Sequence, residues 1–256
     1  AIGPHGLRTG SQARDAPVAV AQRDRDVPAD PAFAGALVVV DEEPGACSRF
    51  GTNYLLRNGL TGTAAVVAEP GNNNVTIGHR GGYRFKLTSR GEATHTGFVA
   101  WERGKRGKNA ISDMSRAVVA LSQIEIPYLE TPAFPNRKPV FTFPTLIEGG
   151  TSINVVPELC VAYGDVRLLP GSDAELIESL IRVRLNQVPD LDYTLEKILF
   201  VPPVEISSDE DIVRIFKTRT MEILDKEPST IGCGPWNDGW MFITKGIPTI
   251  CGFGPE

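Results

Sequence analysis

Histidine and cysteine are both scarce in this chain, and each scarcity narrows the chemistry open to it. The three histidines are His5, His79 and His95, and none lies in an HxD motif. The four cysteines, Cys47, Cys160, Cys233 and Cys251, are scattered without a CxxC pair. That spacing argues against a thiolate metal site and against a disulfide framework, and leaves reduced thiols in a cytoplasmic protein as the expectation. Long apolar runs are also missing. The longest, at 36–40 and 64–68, are too short to cross a bilayer, and no secretory signal precedes them. No GxGxxG or Walker-type loop follows a strand-like run, and Gly232 and Gly234 stand in the wrong context for one, so a nucleotide-binding domain is a weak reading. There is no excess of positive charge. A net charge of −5 offers nucleic acid or anionic lipid no general attraction, and the basic cluster at 103–108 reads as a solvated loop. The expectation is a soluble protein without nucleic-acid or membrane partners.

A hydrophobic content of 41% over 256 residues is enough for one large or two smaller cores. Residues 1–33, rich in Ala, Arg, Asp, Gly and Pro, follow neither helical nor strand periodicity, and poor order is expected there. The chain begins at Ala1 without a methionine and stops at Glu256 just after an apolar run, as an incomplete piece would. The β-branched run at 36–40 ends in Asp41, Glu42 and Glu43, and the run at 64–68 ends in Glu69. Both read as buried parallel strands ending at a functional edge.

From Arg80 to Thr88 the character changes to strict alternation, with Tyr83, Phe85 and Leu87 on one face and Arg84, Lys86 and Thr88 on the other. A helical stripe of Ala110, Ile111, Met114, Ala117, Val118 and Leu121 predicts a helix over 109–123. A second helix is expected from Ser172, with Glu175 completing a capping box and Leu176, Ile177, Leu180 and Ile181 as its apolar face. Strands are expected at 140–145, 159–168 and 192–200. The resulting β-α-β-β-α-β order predicts an antiparallel sheet with two helices on one face. A helix over about 208–224 and a strand at 248–252 return to the α/β pattern. The expected organisation is an irregular segment 1–33, an α/β domain formed by 34–78 and 204–256, and an inserted α+β domain at 79–203.

Two neighbouring strands ending in Glu42, Glu43 and Glu69 would bring carboxylates close enough to repel unless a cation or proton intervenes. Such a group is either a divalent metal site, with one acid free to act as general base, or an exposed acidic turn.

The segments VVVDEEPGA, VVAEPG, GHRGGYRFKLTSRGEATHTG, GGTSINVVPELCVAYGDVRLLPG and GIPTICGFGP occur in that order. Together they resemble the metallopeptidase family of acetylornithine deacetylase, succinyl-diaminopimelate desuccinylase, aminoacylase and glutamate carboxypeptidase, over roughly residues 35–256. The resemblance implies a zinc-peptidase-like α/β catalytic domain with an inserted α+β, ferredoxin-like lid that serves for dimerisation. It implies two zinc ions, with Glu42 as general base and Glu43 and Glu69 as metal ligands. His95 would stabilise the developing oxyanion in the partner subunit of a homodimer. Asn154 and Arg167 would hold polar groups of an N-acyl amino acid or peptide substrate. On the residues alone, His95 reads first as an ordinary loop histidine, Asn154 can be a turn cap, and Arg167 can be the surface partner of Asp165. Asp238 matches an acidic position in a substrate-side loop of the family, with Trp236 and Asn237 in place of the usual small residues.

The same family pattern calls for a histidine and a bridging aspartate upstream of DEE and a histidine after the final GP, and none of the three is identifiable in the sequence. Two functions follow as expectations: a metal-dependent hydrolase of amide bonds whose metal site is incomplete in this chain, or a catalytically inactive remnant that keeps the lid as a dimerisation or binding module.

Overall fold

The computed structural model describes residues 51–69, 71 and 73–254. The segment 1–33, the strand expected at 36–40, and Glu42 and Glu43 lie outside these residues. In chain order the elements begin with α1 (Gly51–Arg57), β1 (Ala65–Val66), β2 (Val75–His79), β3 (Gly81–Arg90), β4 (Thr94–His95) and α2 (Val99–Glu102). They continue with α3 (Ala110–Leu121), β5 (Val140–Gly149), β6 (Val155–Val156), β7 (Leu159–Leu168), α4 (Ala174–Leu185) and β8 (Asp192–Val201). The last are β9 (Val204–Glu205), α5 (Asp211–Leu224), β10 (Thr230–Cys233), α6 (Gly239–Ile243) and β11 (Thr249–Ile250).

The alternating strands build the first unit, hereafter the lid. Its sheet runs β5-β7-β3-β8 with every neighbour antiparallel, and α3 and α4 contribute to its core. Tyr83, Phe85 and Leu87 are fully buried, together with Met114, Ala117 and Leu121 of α3 and Ile177, Ile181 and Leu185 of α4. Burying each of the larger side chains is worth roughly 1.5–3 kcal/mol. Asn109 caps α3, its Oδ1 accepting from the N–H groups of Ile111 and Ser112 at 3.0 Å each. The β-α-β-β-α-β order is the expected one, and the fold class is the expected α/β arrangement with an inserted α+β, ferredoxin-like unit.

Local details depart from the sequence reading. The cap of α4 is Asp173, not Ser172: Asp173 Oδ1 accepts from Leu176 N at 2.7 Å, while Ser172 Oγ is buried without a hydrogen-bond partner among the described residues. A carboxylate at the cap also meets the positive end of the helix, which favours it over the hydroxyl. Ile111, counted in the apolar stripe of α3, is 37% exposed, and Thr88, expected on the wet face, is buried. Strand β5 continues past 145 to Gly149, with a register shift between Thr142 and Leu146 that accommodates Pro144, which has no N–H to donate. Helix α5 starts at Asp211 rather than 208 and ends on Asp225 in the left-handed conformation (φ 49°, ψ 35°).

The second unit, the base, holds β1 parallel to β11 and the three-stranded sheet β10-β2-β9. Hydrogen bonds from Cys251 N to Thr76 O (2.7 Å) and from Thr76 N to Gly252 O (3.1 Å) link the two pieces. All five residues of β2 are buried, so this strand shows no alternation in sequence, and no strand is expected there from the pattern. Its core joins Val75, Ile77, Ile250 and Val213 of α5 to Ala133 and Phe134, which come from the connection between α3 and β5. The chain passes from β2 into β3 at Arg80 and returns through Pro202 and Pro203 into β9. There β9 pairs with β2, with Gly78 opposite Glu205 and His79 opposite Val204. No helix among the described residues is long and apolar enough to cross a membrane.

Candidate functional site

Two short strands place the first pair of candidate residues. β4 pairs antiparallel with β6, His95 opposite Val155, and Thr96 N donates to Asn154 O at 3.0 Å. This register brings residues 59 positions apart into contact: Asn154 Nδ2 and His95 Nε2 are 3.1 Å apart. Gly97 N donates to His95 Nδ1 at 3.0 Å, so a neutral ring carries its proton on Nε2. That proton needs an acceptor, and the Asn154 amide supplies one when its oxygen faces the ring and its nitrogen faces Ser152 Oγ, the hydroxyl 2.6 Å away. The pair is exposed, beside a Phe98 ring 5.1 Å from the imidazole and a fully exposed Ile153. The tip of the lid therefore offers an N–H donor held in a fixed tautomer, surrounded by apolar groups that exclude water when covered.

A second cluster lies at the strand ends of the base. Glu69 follows β1, and its carbonyl accepts from Phe253 N at 2.9 Å. Its carboxylate lies close enough to Cys233 to raise that thiol, which burial chiefly pushes up to about 12. Burial and the neighbouring Cys233 raise Cys251 further. His79, opposite Cys233 in the sheet, is fully buried, and desolvation lowers it to about 4. Its Nδ1–H donates to Arg80 O at 3.0 Å, leaving Nε2 buried without a hydrogen-bond partner among the described residues. Asn237 Nδ2 donates to Cys251 O, and Thr52 Oγ1 donates to Asp238 Oδ2. Both thiols and the imidazole are thus neutral at pH 7, which suits them to packing more than to nucleophilic work.

Arg167 occupies neither cluster. On the outer face of the lid sheet its Nε donates to Asp165 at 2.7 Å, and its guanidinium lies 4.3 Å from the centre of the Trp236 ring. Trp236 belongs to the base loop that carries Asn237 and Asp238, so Arg167 stands where lid meets base. The structure brings His95 and Asn154 together and places Glu69 and Arg167 in two other neighbourhoods. Among the described residues no group of three or more His, Cys, Asp or Glu side chains could hold a metal ion. The described residues therefore do not by themselves fit a two-metal centre. Sequence reasoning gave no site role to Arg80, taken only as the start of the alternating strand, or to Arg137; both lie against the same loop.

Residues 77–191 match a protein family described as the peptidase dimerisation domain. The chain is 28% identical over 196 residues to a probable carboxypeptidase of Paracoccidioides lutzii, covering 73% of this chain and 42% of that protein. It is 29% identical over 106 residues to an uncharacterized metallohydrolase of Methanocaldococcus jannaschii, covering 41% of this chain and 28% of that protein. The solved structure of aminopeptidase PepT from Bacillus cereus shares the fold with a TM-score of 0.64 at 19% identity, covering 82% of this chain and 53% of that one. The chain spans less than half the length of these two curated relatives.

Proposed function

We propose that the chain belongs to the metallopeptidase family that carries this dimerisation domain, and that it is part of a metal-dependent hydrolase of amide bonds in N-acyl amino acids or small peptides. It works as a homodimer through the lid. Zinc is the metal of this reading, with Glu43 and Glu69 as ligands and Glu42 as the general base. The observation that carries the proposal is the contact between His95 and Asn154 at 3.1 Å on the exposed tip of the lid.

The chemistry of that pair is hydrogen-bond donation. His95 Nε2–H rests on Asn154, and a substrate carbonyl entering the partner's site would take its place, so the donor stabilises negative charge as it develops on oxygen. Asn154, released, is free to donate to a substrate acceptor. Arg167 offers a guanidinium to a substrate carboxylate at the junction of lid and base.

The test supplies the full chain with zinc, measures bound metal, and assays N-acetyl amino acids and dipeptides beside Glu42→Gln and His95→Ala. Hydrolysis that is lost in both variants supports the reading. Metal uptake without hydrolysis of any substrate counts against it. A second reading, a dimerisation or binding module without catalysis, draws on the lack of any HxD histidine and bridging aspartate in the sequence. A stable dimer with neither zinc uptake nor hydrolysis would establish it.

A further inference from the structure

Arg80, Arg84, Arg137 and Arg167 lie around the loop at 233–238, and one of them keeps a buried N–H without a hydrogen-bond partner among the described residues. Arg80 is 6% exposed and donates from Nη2 to Lys138 O, but its Nε is buried with no hydrogen-bond partner among the described residues. Arg137 sits on a turn closed by its own N–H donating to Phe134 O at 3.2 Å, and its Nη2 lies 3.8 Å from the β-carbon position of Gly234. Arg167 lies over Trp236. Burial first, then the charges of Arg137 and Arg167, push the Arg80 guanidinium below its ordinary value. Asp165 is already shared between Arg84 at 3.0 Å and Arg167 at 2.7 Å.

A buried guanidinium N–H without a partner is costly, and so is holding like charges together in a partly desolvated place. Both costs vanish when an anion is bound, and a planar fork of N–H donors matches a carboxylate. Farther along the same loop the Trp236 ring packs against the Arg84 and Arg167 heads.

We propose that Arg80 and Arg137, at the Cys233–Gly234 end of the loop that carries Trp236, form a carboxylate-binding site at the junction of lid and base, separate from the carboxylate assigned to Arg167, and that it selects ligands bearing a second carboxylate. Naming that ligand as substrate, an acidic N-acyl amino acid or acidic peptide, rests on the hydrolase reading. The binding itself does not.

The experiment titrates the full chain, without added metal, with N-acetylglutamate and N-acetylglutamine at matched ionic strength, followed by calorimetry and tryptophan fluorescence. N-acetylglutamate should bind about tenfold more tightly, as one added charge-assisted contact gives. That preference should be lost in Arg80→Gln and in Arg137→Gln, and kept in the control Arg103→Gln. Arg137 is exposed, so its variant tests the site even where Arg80→Gln fails to fold. Equal affinity for the two compounds overturns the proposal, as does a preference that survives Arg137→Gln or a fluorescence change that chloride alone reproduces. The preference without hydrolysis of any amide leaves the site standing and removes the hydrolase reading. Hydrolysis without the preference does the reverse.

Discussion

The Trp236 ring packs against Gly82 so closely that a β-carbon on Gly82 would overlap three of the ring carbons. Arg84 and Arg167 flank the ring at 4.8 and 4.3 Å. A base loop is thereby seated on the outer face of the lid sheet. Gly82→Ala should displace Trp236 and destabilise the protein by about 1–3 kcal/mol, the usual cost of overpacking. Urea unfolding measures the loss, and a shifted tryptophan emission in the folded variant would locate it; unchanged stability and emission would mean that the ring is free to move.

His95 and Asn154 are exposed, so His95→Ala and Asn154→Ala should leave stability within about 0.5 kcal/mol of the parent. If the proposed hydrolysis is present, His95→Ala should lower kcat by about a hundredfold or more, as removal of an oxyanion donor does. Because Asn154 holds the same ring, the double variant should lose less than the product of the single losses. Full additivity in steady-state kinetics would separate the two residues.

The cap of α4 distinguishes neighbouring residues. Asp173→Ala should cost about 1 kcal/mol, since Leu176 N loses its acceptor. Ser172→Ala removes a hydroxyl that has no partner among the described residues and should be neutral or slightly stabilising. Thermal unfolding of the two variants side by side decides between them; the opposite order would return the cap to Ser172.

His79 makes stability depend on pH. Folded, the ring is held neutral down to about 4, whereas an exposed imidazole takes its proton near its ordinary value of 6.5. Between those values the unfolded chain binds more protons, so stability falls as pH drops through this window, by on the order of 3 kcal/mol. Urea midpoints at pH 7 and pH 4.5 measure it, and His79→Asn should flatten the difference. A slope unchanged in that variant would assign the acid sensitivity elsewhere.

The lid was legible in sequence because its sheet has one wet face. Alternation at Tyr83, Phe85 and Leu87 marks a strand that buries every second residue, and the strand at 159–168 falls on the residues expected. The base was less legible. β2 is buried throughout and includes Gly78 and His79, so neither periodicity nor composition marks it. In β10, Gly232 carries no strand signal, and its missing side chain makes room for the Phe134 ring. At the candidate site, motifs singled out His95 and Asn154 separately, and only the pairing of β4 with β6 sets them in contact. Arg80 and Arg137 carried no site signal, because their meaning comes from separate segments meeting at the loop after β10.

The placement of Phe134 ties the two units together. It arises inside the lid sequence, yet it fills the base core against Gly232, and the neighbouring Ala133 O accepts from Gly232 N at 2.7 Å. The lid thus acts as its own latch. Cutting it out at the paired ends of β2 and β9 would leave the base with a hole the size of a phenyl ring, and swinging it away as a rigid flap would pull that ring into water. Neither unit is therefore a module that can be exchanged alone, and heat or denaturant should melt both in one cooperative step.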